Sequence, residues 1–191
     1  MGGVFRVACF VLRHSRFCIQ HSPLLTPHSP LATRHSSLPI PHSPLPMQAT
    51  DDVLDAIRAH GAEAYPEEGC GFLLGTVAAE GRNRITAIRR VANRQTENRE
   101  RRYQISADDY RAAQADADAQ GLDIVGFYHS HPDHPARPSE TDLQEATFPG
   151  YTYVIVSVRD GTPHDLTASS LTPNRSRCIP DAIDAPAADP A

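Results

Sequence analysis

The chain has 191 residues, of which 40% are hydrophobic, enough for one domain of ordinary size. Residues 1–47 hold four of the 18 Arg and no acidic residue, so residues 48–191 carry 14 Arg against all 23 Asp and Glu. An acidic domain argues against nucleic acid as the main partner. No apolar run is long enough to span a membrane, and the four cysteines make no disulfide framework, so we expect a cytoplasmic protein.

The first 47 residues contain a repeat that sets them apart from the rest of the chain. His-Ser pairs recur with a strict seven-residue period, at positions 14–15, 21–22, 28–29, 35–36 and 42–43. A proline in nearly every unit excludes the helix that a heptad would otherwise indicate. A His-rich tract can bind metal, but we favour translated sequence upstream of a true start at Met47. We expect residues 1–47 to be disordered, because they cannot bury enough apolar surface to offset their ordering entropy.

The first half of the expected domain predicts one helix and three strands. Thr50–Tyr65 has the apolar stripe of an amphipathic helix. Cys70–Val77 is an apolar run that predicts a buried strand, and Arg84–Val91, which alternates with one slip, predicts its antiparallel partner. After a polar connection, Tyr103–Ile105 predicts a further short strand.

The second half predicts two helices and three strands, followed by a tail. Ser106 is expected to begin a helix that runs to about Gln120 and ends at Gly121. Residues 173–191 are dominated by Pro, Ala and Asp, so we expect a disordered tail. The remaining predicted elements are a strand at Leu122–Tyr128, a helix at Ser139–Phe148, and strands at Tyr151–Val158 and Asp165–Leu171.

Strands and helices are interspersed along residues 48–172, with at least one hairpin. This order predicts an α/β or α+β fold in which helices flank a mixed β-sheet. Tyr151–Val158 is rich in Val and Ile and is expected at the centre of that sheet.

Two histidines stand at the end of the predicted strand that begins at Leu122. On an extended backbone, residues spaced i, i+2 point to the same face, so His129 and His131 are expected side by side. Pro132 then ends the strand, because proline cannot donate to the ladder of the sheet.

A carboxylate follows the histidines at a distance that brings it back to them. Ser139 is expected to be a helix N-cap, with Asp142 on the first turn of that helix. Two nitrogen ligands and one carboxylate, with a fourth position open to water, are typical of a catalytic zinc site. His pairs and capped helices also arise by chance, but the combination over residues 129–142 fixes five residue types.

The pattern His-x-His-Pro, six residues, Ser-x-x-Asp resembles the JAMM motif of the MPN-plus metalloproteases, and every motif position is filled. The resemblance covers residues 50–171. It implies an MPN/JAB domain with a curved mixed sheet flanked by helices, similar to the cytidine-deaminase fold. It also implies a Zn²⁺ ion held by His129, His131 and Asp142.

A zinc hydrolase also needs a base that takes a proton from water and delivers it to the leaving amine. Glu67 and Glu68 precede the strand Cys70–Val77, and either alone would be an ordinary exposed carboxylate. In the bacterial branch of the JAMM family the matching motif is Glu-x-Cys-Gly, which selects Glu68. The resemblance further implies that the Ser139 hydroxyl stabilises the oxyanion, a role compatible with that of an N-cap.

Other chemically suggestive residues have simpler explanations. His134, in the loop between the ligands, is expected to be solvated rather than to bind metal. Cys70 is expected to be a small buried hydrophobic residue. The arginine-rich stretch at residues 89–102 is either a solvated edge or a surface for an acidic partner, and the sequence does not decide between them.

The resemblance implies a zinc-dependent peptidase or isopeptidase. Bacterial single-domain relatives of this type act at the C-terminal Gly-Gly of ubiquitin-like sulfur-carrier proteins, so such a carrier is the expected partner. Two alternatives are a non-catalytic MPN scaffold, a class that usually lacks the ligands, and a general zinc hydrolase with another substrate. A nucleobase deaminase is excluded, because that class requires Pro-Cys-x-x-Cys and the chain has no Cys-x-x-Cys.

Overall fold

The computed structural model of the protein describes residues 47–185, which form eight strands and three helices. The strands are β1 Met47–Ala49, β2 Cys70–Val77, β3 Asn83–Val91, β4 Asp123–Pro132, β5 Thr152–Arg159, β6 Thr162–Leu171, β7 Cys178–Asp181 and β8 Ile183–Asp184. The helices are α1 Asp51–Ala64, α2 Ala107–Ala119 and α3 Glu140–Glu145.

All eight strands belong to one curved, mixed sheet in the order β7-β6-β5-β4-β2-β3-β1-β8. The β4–β5, β1–β3 and β1–β8 pairs are parallel, and the other pairs are antiparallel. The slip in side-chain alternation expected in Arg84–Val91, now β3, is present as a shift in the β2–β3 register between Leu74 and Gly75. The predicted α+β fold with a mixed sheet flanked by helices is confirmed.

Side-chain alternation along the central strands divides the core between the two faces of the sheet. On β2, Leu73 packs with the apolar stripe of α1, whereas Phe72 and Leu74 pack with α2. On β4, Tyr128 belongs to the first face and Phe127 to the second. The residue that follows Tyr128, His129, therefore lies on the α2 face.

Helix α2 has the local signals that the sequence predicted. Ser106 is its N-cap, and its side chain accepts a hydrogen bond from the backbone N–H of Asp109. Gly121, beyond the last turn, has a φ of 67°, a left-handed conformation that glycine adopts without strain. Ala113 and Ala117 are buried, and their small size lets the helix pack closely on the sheet.

Three expectations about individual elements are wrong. Tyr103–Ile105 is not a strand; its backbone is irregular, and Ile105 is instead buried in the core on the α2 face. Helix α3 is shorter than the predicted Ser139–Phe148, because it ends at Glu145 with an extended Ala146 behind it. Residues 173–184 are not a structureless tail, since β7 pairs with β6 and β8 pairs with β1.

The domain begins earlier and ends later than the sequence predicts, because strands form on both sides of residues 48–172. Met47, which the sequence grouped with the N-terminal repeat, begins β1 and is 2% exposed. The predictions for residues 1–46 and 186–191 lie outside the described residues. Within residues 47–185, no helix is long and apolar enough to cross a membrane.

Candidate metal centre

Strand β4 carries both histidines on one face, as the i, i+2 spacing predicts. Its neighbours are β2 and β5, so His129 and His131 sit in the middle of the sheet and are only 3% and 8% exposed. Ser130 between them points to the opposite face, where its Cβ lies against Gly61 of α1. A residue between two co-facial side chains must point the other way on a pleated strand.

Helix α3 brings the carboxylate to the histidines through its N-terminal cap. The Ser139 side chain accepts a hydrogen bond from the Asp142 N–H at 3.1 Å, and the Ser139 N–H donates to Asp142 Oδ2 at 2.7 Å. This reciprocal pair is a capping box. The same contacts that begin the helix therefore fix the direction of the Asp142 carboxylate.

The three side chains converge on one point. Nε2 of His129 lies 3.0 Å from Nε2 of His131, and the two nitrogens lie 3.3 and 3.4 Å from the Asp142 carboxylate oxygens. In a tetrahedral zinc site with ligands at about 2.0–2.1 Å, any two donor atoms are about 3.3–3.4 Å apart. The donor set therefore fits a small divalent cation bound by two imidazoles and one carboxylate.

One of the two imidazoles is oriented by a hydrogen bond on its other nitrogen. His131 Nδ1 lies 2.9 Å from the Pro135 carbonyl oxygen. A carbonyl can only accept, so this nitrogen carries the proton and Nε2 is left with a free lone pair. His129 is oriented differently: its ring stacks on that of Tyr103, with centroids 4.6 Å apart and planes at 27°.

The electrostatics of the cluster favour the metal-binding protonation state at Asp142 and His129, whereas at His131 they favour the protonated ring. Burial opposes ionisation of Asp142, but hydrogen bonds from His129 and His131 hold the pKa of that carboxyl well below its usual range. Burial lowers the pKa of His129, which favours the neutral ring. Burial also acts to lower the pKa of His131, but the contacts with Asp142 and Pro135 outweigh it and raise the pKa.

Glu68 is held next to the histidines through its neighbour in the chain. The Gly69 N–H donates to Ser130 Oγ at 2.8 Å, and the Ser130 N–H donates to the Gly69 carbonyl, also at 2.8 Å. Glu68 itself is 5% exposed. Its pKa is raised to about 8, mainly by burial, with the Asp142 carboxylate adding to the rise and His131 opposing it.

The other candidate residues lie in different surroundings. Glu67 is ion-paired with Arg99 at 2.9 Å on the surface. Ser139 is exposed, and its oxygen accepts the Asp142 N–H, which leaves the hydroxyl hydrogen free to donate. His134 is exposed and is not part of the His129–His131–Asp142 cluster.

The arginine-rich stretch is mostly engaged by acidic residues of its own domain. Four of its side chains form ion pairs, which are Arg89–Asp116, Arg90–Glu63, Arg94–Asp109 and Arg99–Glu67. Most of the positive charge of this stretch is therefore neutralised within the domain.

A cleft of about 600 Å³ opens beside the His129–His131–Asp142 cluster, and His129 and Asp142 form part of its wall. Four aromatic side chains line it, those of Tyr103, Phe127, Phe148 and Tyr153. Two arginines, Arg102 and Arg175, also line the cleft. A segment of extended peptide can therefore lie against apolar surface next to the ligand atoms.

Tyr103, Asn93 and Ser130 are close to the site but were missed in the sequence. Tyr103 was read as part of a strand, whereas its ring covers His129. Asn93 lies in the stretch that the sequence predicts only as a polar connection, although Asn side chains commonly hydrogen-bond to the backbone of loops. The role of Ser130 follows from the alternation in His-x-His, which sends the middle residue toward α1.

Comparisons with known proteins identify the family of the chain. A family model described as prokaryotic homologues of the JAB domain matches residues 50–171. Desampylase of Haloferax volcanii is 37% identical over 125 residues, which covers 64% of this chain and 86% of that protein. CysO-cysteine peptidase of Mycobacterium tuberculosis is 35% identical over 116 residues, covering 60% of this chain and 75% of that protein.

A solved structure extends the likeness to the backbone. The solution structure of a protein from Salinibacter ruber is 64% identical, covers 75% of this chain and 94% of that protein, and superposes with a TM-score of 0.62. The matched family model spans most of the described residues and contains the whole His-x-His-Pro and Ser-x-x-Asp pattern. The chain belongs to the family of prokaryotic homologues of the JAB domain.

Proposed function

We propose that the protein is a zinc-dependent peptidase or isopeptidase that hydrolyses an amide bond at the C-terminal Gly-Gly of a ubiquitin-like sulfur-carrier protein. The observation that carries this proposal is the convergence of His129, His131 and Asp142 beside a cleft, with a buried carboxyl group held next to them. We further propose a cytoplasmic location, where free thiols such as those of Cys70 and Cys178 persist.

The metal ligands are His129, His131 and Asp142. Zinc bound there supplies Lewis-acid chemistry, which makes water acidic enough to ionise near neutral pH. The capping box keeps the Asp142 carboxylate aimed at the two imidazoles, and the Pro135 carbonyl keeps His131 in the tautomer that offers Nε2.

Glu68 is the general base in this proposal. Burial raises the pKa of its carboxyl to about 8. A group whose pKa is near neutral pH can both accept and return a proton. It takes the proton from the attacking water and delivers it to the amine that leaves. Glu67 is a poor candidate, because its carboxylate is paired with Arg99 at the surface.

Ser139 is proposed to stabilise the oxyanion. Its oxygen is fixed by the Asp142 N–H, and the hydroxyl hydrogen is free to donate toward the carbonyl oxygen as negative charge develops there. The N-cap and the oxyanion donor are thus two functions of one hydroxyl group.

The substrate is inferred from the cleft and from the relatives. An extended Gly-Gly tail has no side chains to clash with the ligands, so its carbonyl can approach the cluster closely. The names of two relatives, desampylase and CysO-cysteine peptidase, support hydrolysis of a linkage to a ubiquitin-like protein. A non-catalytic scaffold is disfavoured, because it needs neither a complete donor set nor a buried carboxyl group beside it.

The test is cleavage of a defined carrier. A ubiquitin-like sulfur carrier extended by several residues beyond Gly-Gly is incubated with zinc-loaded enzyme, and the products are identified by mass spectrometry. We expect one cut directly after Gly-Gly and little degradation of casein. If the enzyme degrades casein and leaves the carrier intact, it is a general zinc peptidase and the proposed substrate is wrong.

The matched control is Glu68→Gln, which keeps the size of the side chain but cannot carry the proton. Loss of cleavage in this variant assigns the activity to the enzyme itself. Equal cleavage by the wild type and the variant would point to a contaminating peptidase and would leave the chain without demonstrated activity.

A further inference from the structure

The loop between β3 and α2, residues 92–106, has an irregular backbone, and the side chain of Asn93 makes four hydrogen bonds to backbone groups in and beside it. Nδ2 of Asn93 donates to the carbonyl oxygens of Glu68 at 3.2 Å and Arg102 at 2.9 Å. Its Oδ1 accepts from the backbone N–H groups of Gln95 at 3.0 Å and Gln104 at 3.1 Å. A side-chain amide has two donor hydrogens and two acceptor lone pairs, so Asn93 uses its full capacity.

This loop contacts both halves of the candidate site. The Glu68 N–H donates to the Arg99 carbonyl at 2.8 Å, so the segment that carries the proposed base is bonded to the loop in both directions. At its other end, the loop places the Tyr103 ring against His129. Asn93 therefore links the backbone of Glu68 to the aromatic ring that covers a metal ligand.

The two histidines need this loop to different degrees. Histidines that bind metal are normally oriented by a hydrogen bond on their other ring nitrogen. His131 has such a bond, to Pro135. Within residues 47–185, the corresponding nitrogen of His129 makes no side-chain or carbonyl hydrogen bond, so stacking on Tyr103 is the contact that sets the plane of this ring.

We propose that Tyr103 and Asn93 are positioning residues: Tyr103 holds the His129 imidazole in its ligand orientation by stacking, and Asn93 fixes the loop that carries Tyr103 to the backbone of Glu68. The inference rests on the proposed function, since it assumes that His129 binds zinc and that Glu68 acts on the substrate. Neither residue touches the reacting atoms, and both act through a neighbour.

The test compares zinc affinity in the full-length protein, measured by competition with a chromophoric chelator. Tyr103→Leu should raise the zinc dissociation constant about 10–100-fold, the usual cost of removing an outer-shell partner of a ligand. Tyr103→Phe keeps the stacked ring and should retain nearly wild-type affinity, which a role for the hydroxyl would not predict. The visible absorption of the cobalt-substituted protein should change in Tyr103→Leu and not in Tyr103→Phe.

Asn93 is tested with Asn93→Ala and with the isosteric Asn93→Asp, which replaces the amide nitrogen by an oxygen that cannot donate to the Glu68 and Arg102 carbonyl groups. Both should weaken zinc binding in the same direction as Tyr103→Leu and lower kcat on the carrier by about tenfold or more, because small displacements of reacting groups are costly. Glu97→Gln, at an exposed position of the same loop, is the matched control and should behave as the wild type.

The outcomes separate this inference from the proposed function. If the wild type binds zinc and cleaves the carrier while folded Tyr103→Leu and Asn93→Asp match its zinc affinity, the positioning role is wrong and the proposed function stands. If the wild type binds no zinc, both are wrong. Circular dichroism identifies a variant that has lost its fold. If Tyr103→Leu does not fold, the zinc affinity of the folded Asn93 variant decides, because unchanged affinity there contradicts the positioning role.

Discussion

Glu67 and Glu68 are adjacent in the chain, but their carboxylates lie in opposite environments. The Glu67 side chain is 43% exposed and pairs with Arg99, whereas Glu68 is buried beside the histidine cluster. In the sequence the two could be separated only through the Glu-x-Cys-Gly pattern. In the structure burial separates them, because only a desolvated carboxyl has a pKa high enough to exchange a proton near neutral pH.

The first prediction uses this contrast between neighbours. Glu68→Gln should keep its zinc and its fold but lose turnover by several orders of magnitude, since an amide cannot carry the proton. Glu67→Gln should remain active, because it loses only an exposed ion pair. Steady-state turnover of the two variants, each checked for zinc content, decides the assignment. Exchanged phenotypes would mean that Glu67 is the base.

The second prediction concerns the pH dependence of stability in the metal-free protein. The pKa of Glu68 is about 8 in the folded chain and 4.5 for an ordinary carboxyl, so folding favours the protonated form. The contribution of protonated Glu68 to the free energy of unfolding is fully present below about pH 4.5 and is lost as the pH rises through about 8. Wild type should therefore lose melting temperature relative to Glu68→Gln between these two pH values. Parallel pH profiles would show that Glu68 is solvated.

At the scale of elements, local rules were sufficient to bring the three proposed metal ligands together. The i, i+2 spacing placed His129 and His131 on one face of β4, and the Ser-x-x-Asp signal placed Asp142 on the first turn of α3. Both rules depend only on backbone geometry within a few residues. That dependence is why they can be read from a single sequence.

Elements that depend on distant contacts could not be read in this way. Tyr103–Ile105 has the composition of a strand, but the Asn93 hydrogen bonds and the stacking on His129 hold it as a loop. β7 and β8 have the composition of a tail, yet they gain order from the free edges of β6 and β1. Tertiary context overrides composition in both cases.

The third prediction tests the two late strands. A chain ending at Thr172 lacks β7 and β8, and it also lacks Ile183, which packs against the core cluster on the α1 face. Ile183 is partly buried. Full burial of a side chain of this size contributes roughly 1.5–3 kcal/mol, and the pairings of β7 and β8 are lost as well, so we expect the free energy of unfolding to fall by about that amount. Chemical denaturation measures the change.

The matched control for this truncation is a chain ending at Ala185, which keeps both strands and should be as stable as the full-length protein. Equal stability of the two truncated chains would mean that β7 and β8 add nothing to the sheet.

At the scale of the whole molecule, the sheet is larger than the family match. The matched region is residues 50–171, whereas β1 precedes it and β7 and β8 follow it. Strands β7 and β8 lie at the two ends of the strand order, and β1 lies beside β8. The segments outside the family match therefore extend both edges of the sheet, while the candidate metal centre lies on the central strand β4.

The fourth prediction concerns the N-terminal repeat. A chain beginning at Met47 keeps β1 and every other described element, and the proline-laden heptad before it has no pattern that forms a core. Its melting temperature and its turnover should equal those of the full-length chain. A clear fall in melting temperature on truncation would show that the repeat packs on the domain.

The zinc content of the purified protein tests the central claim most directly. Elemental analysis should find about one zinc per chain, and His129→Ala or Asp142→Ala should lose it, because a site with three protein ligands cannot spare one. His134→Ala, a histidine of the same loop region that is exposed and outside the cluster, should keep it. Full zinc in both ligand variants, or its loss in His134→Ala, would contradict the account.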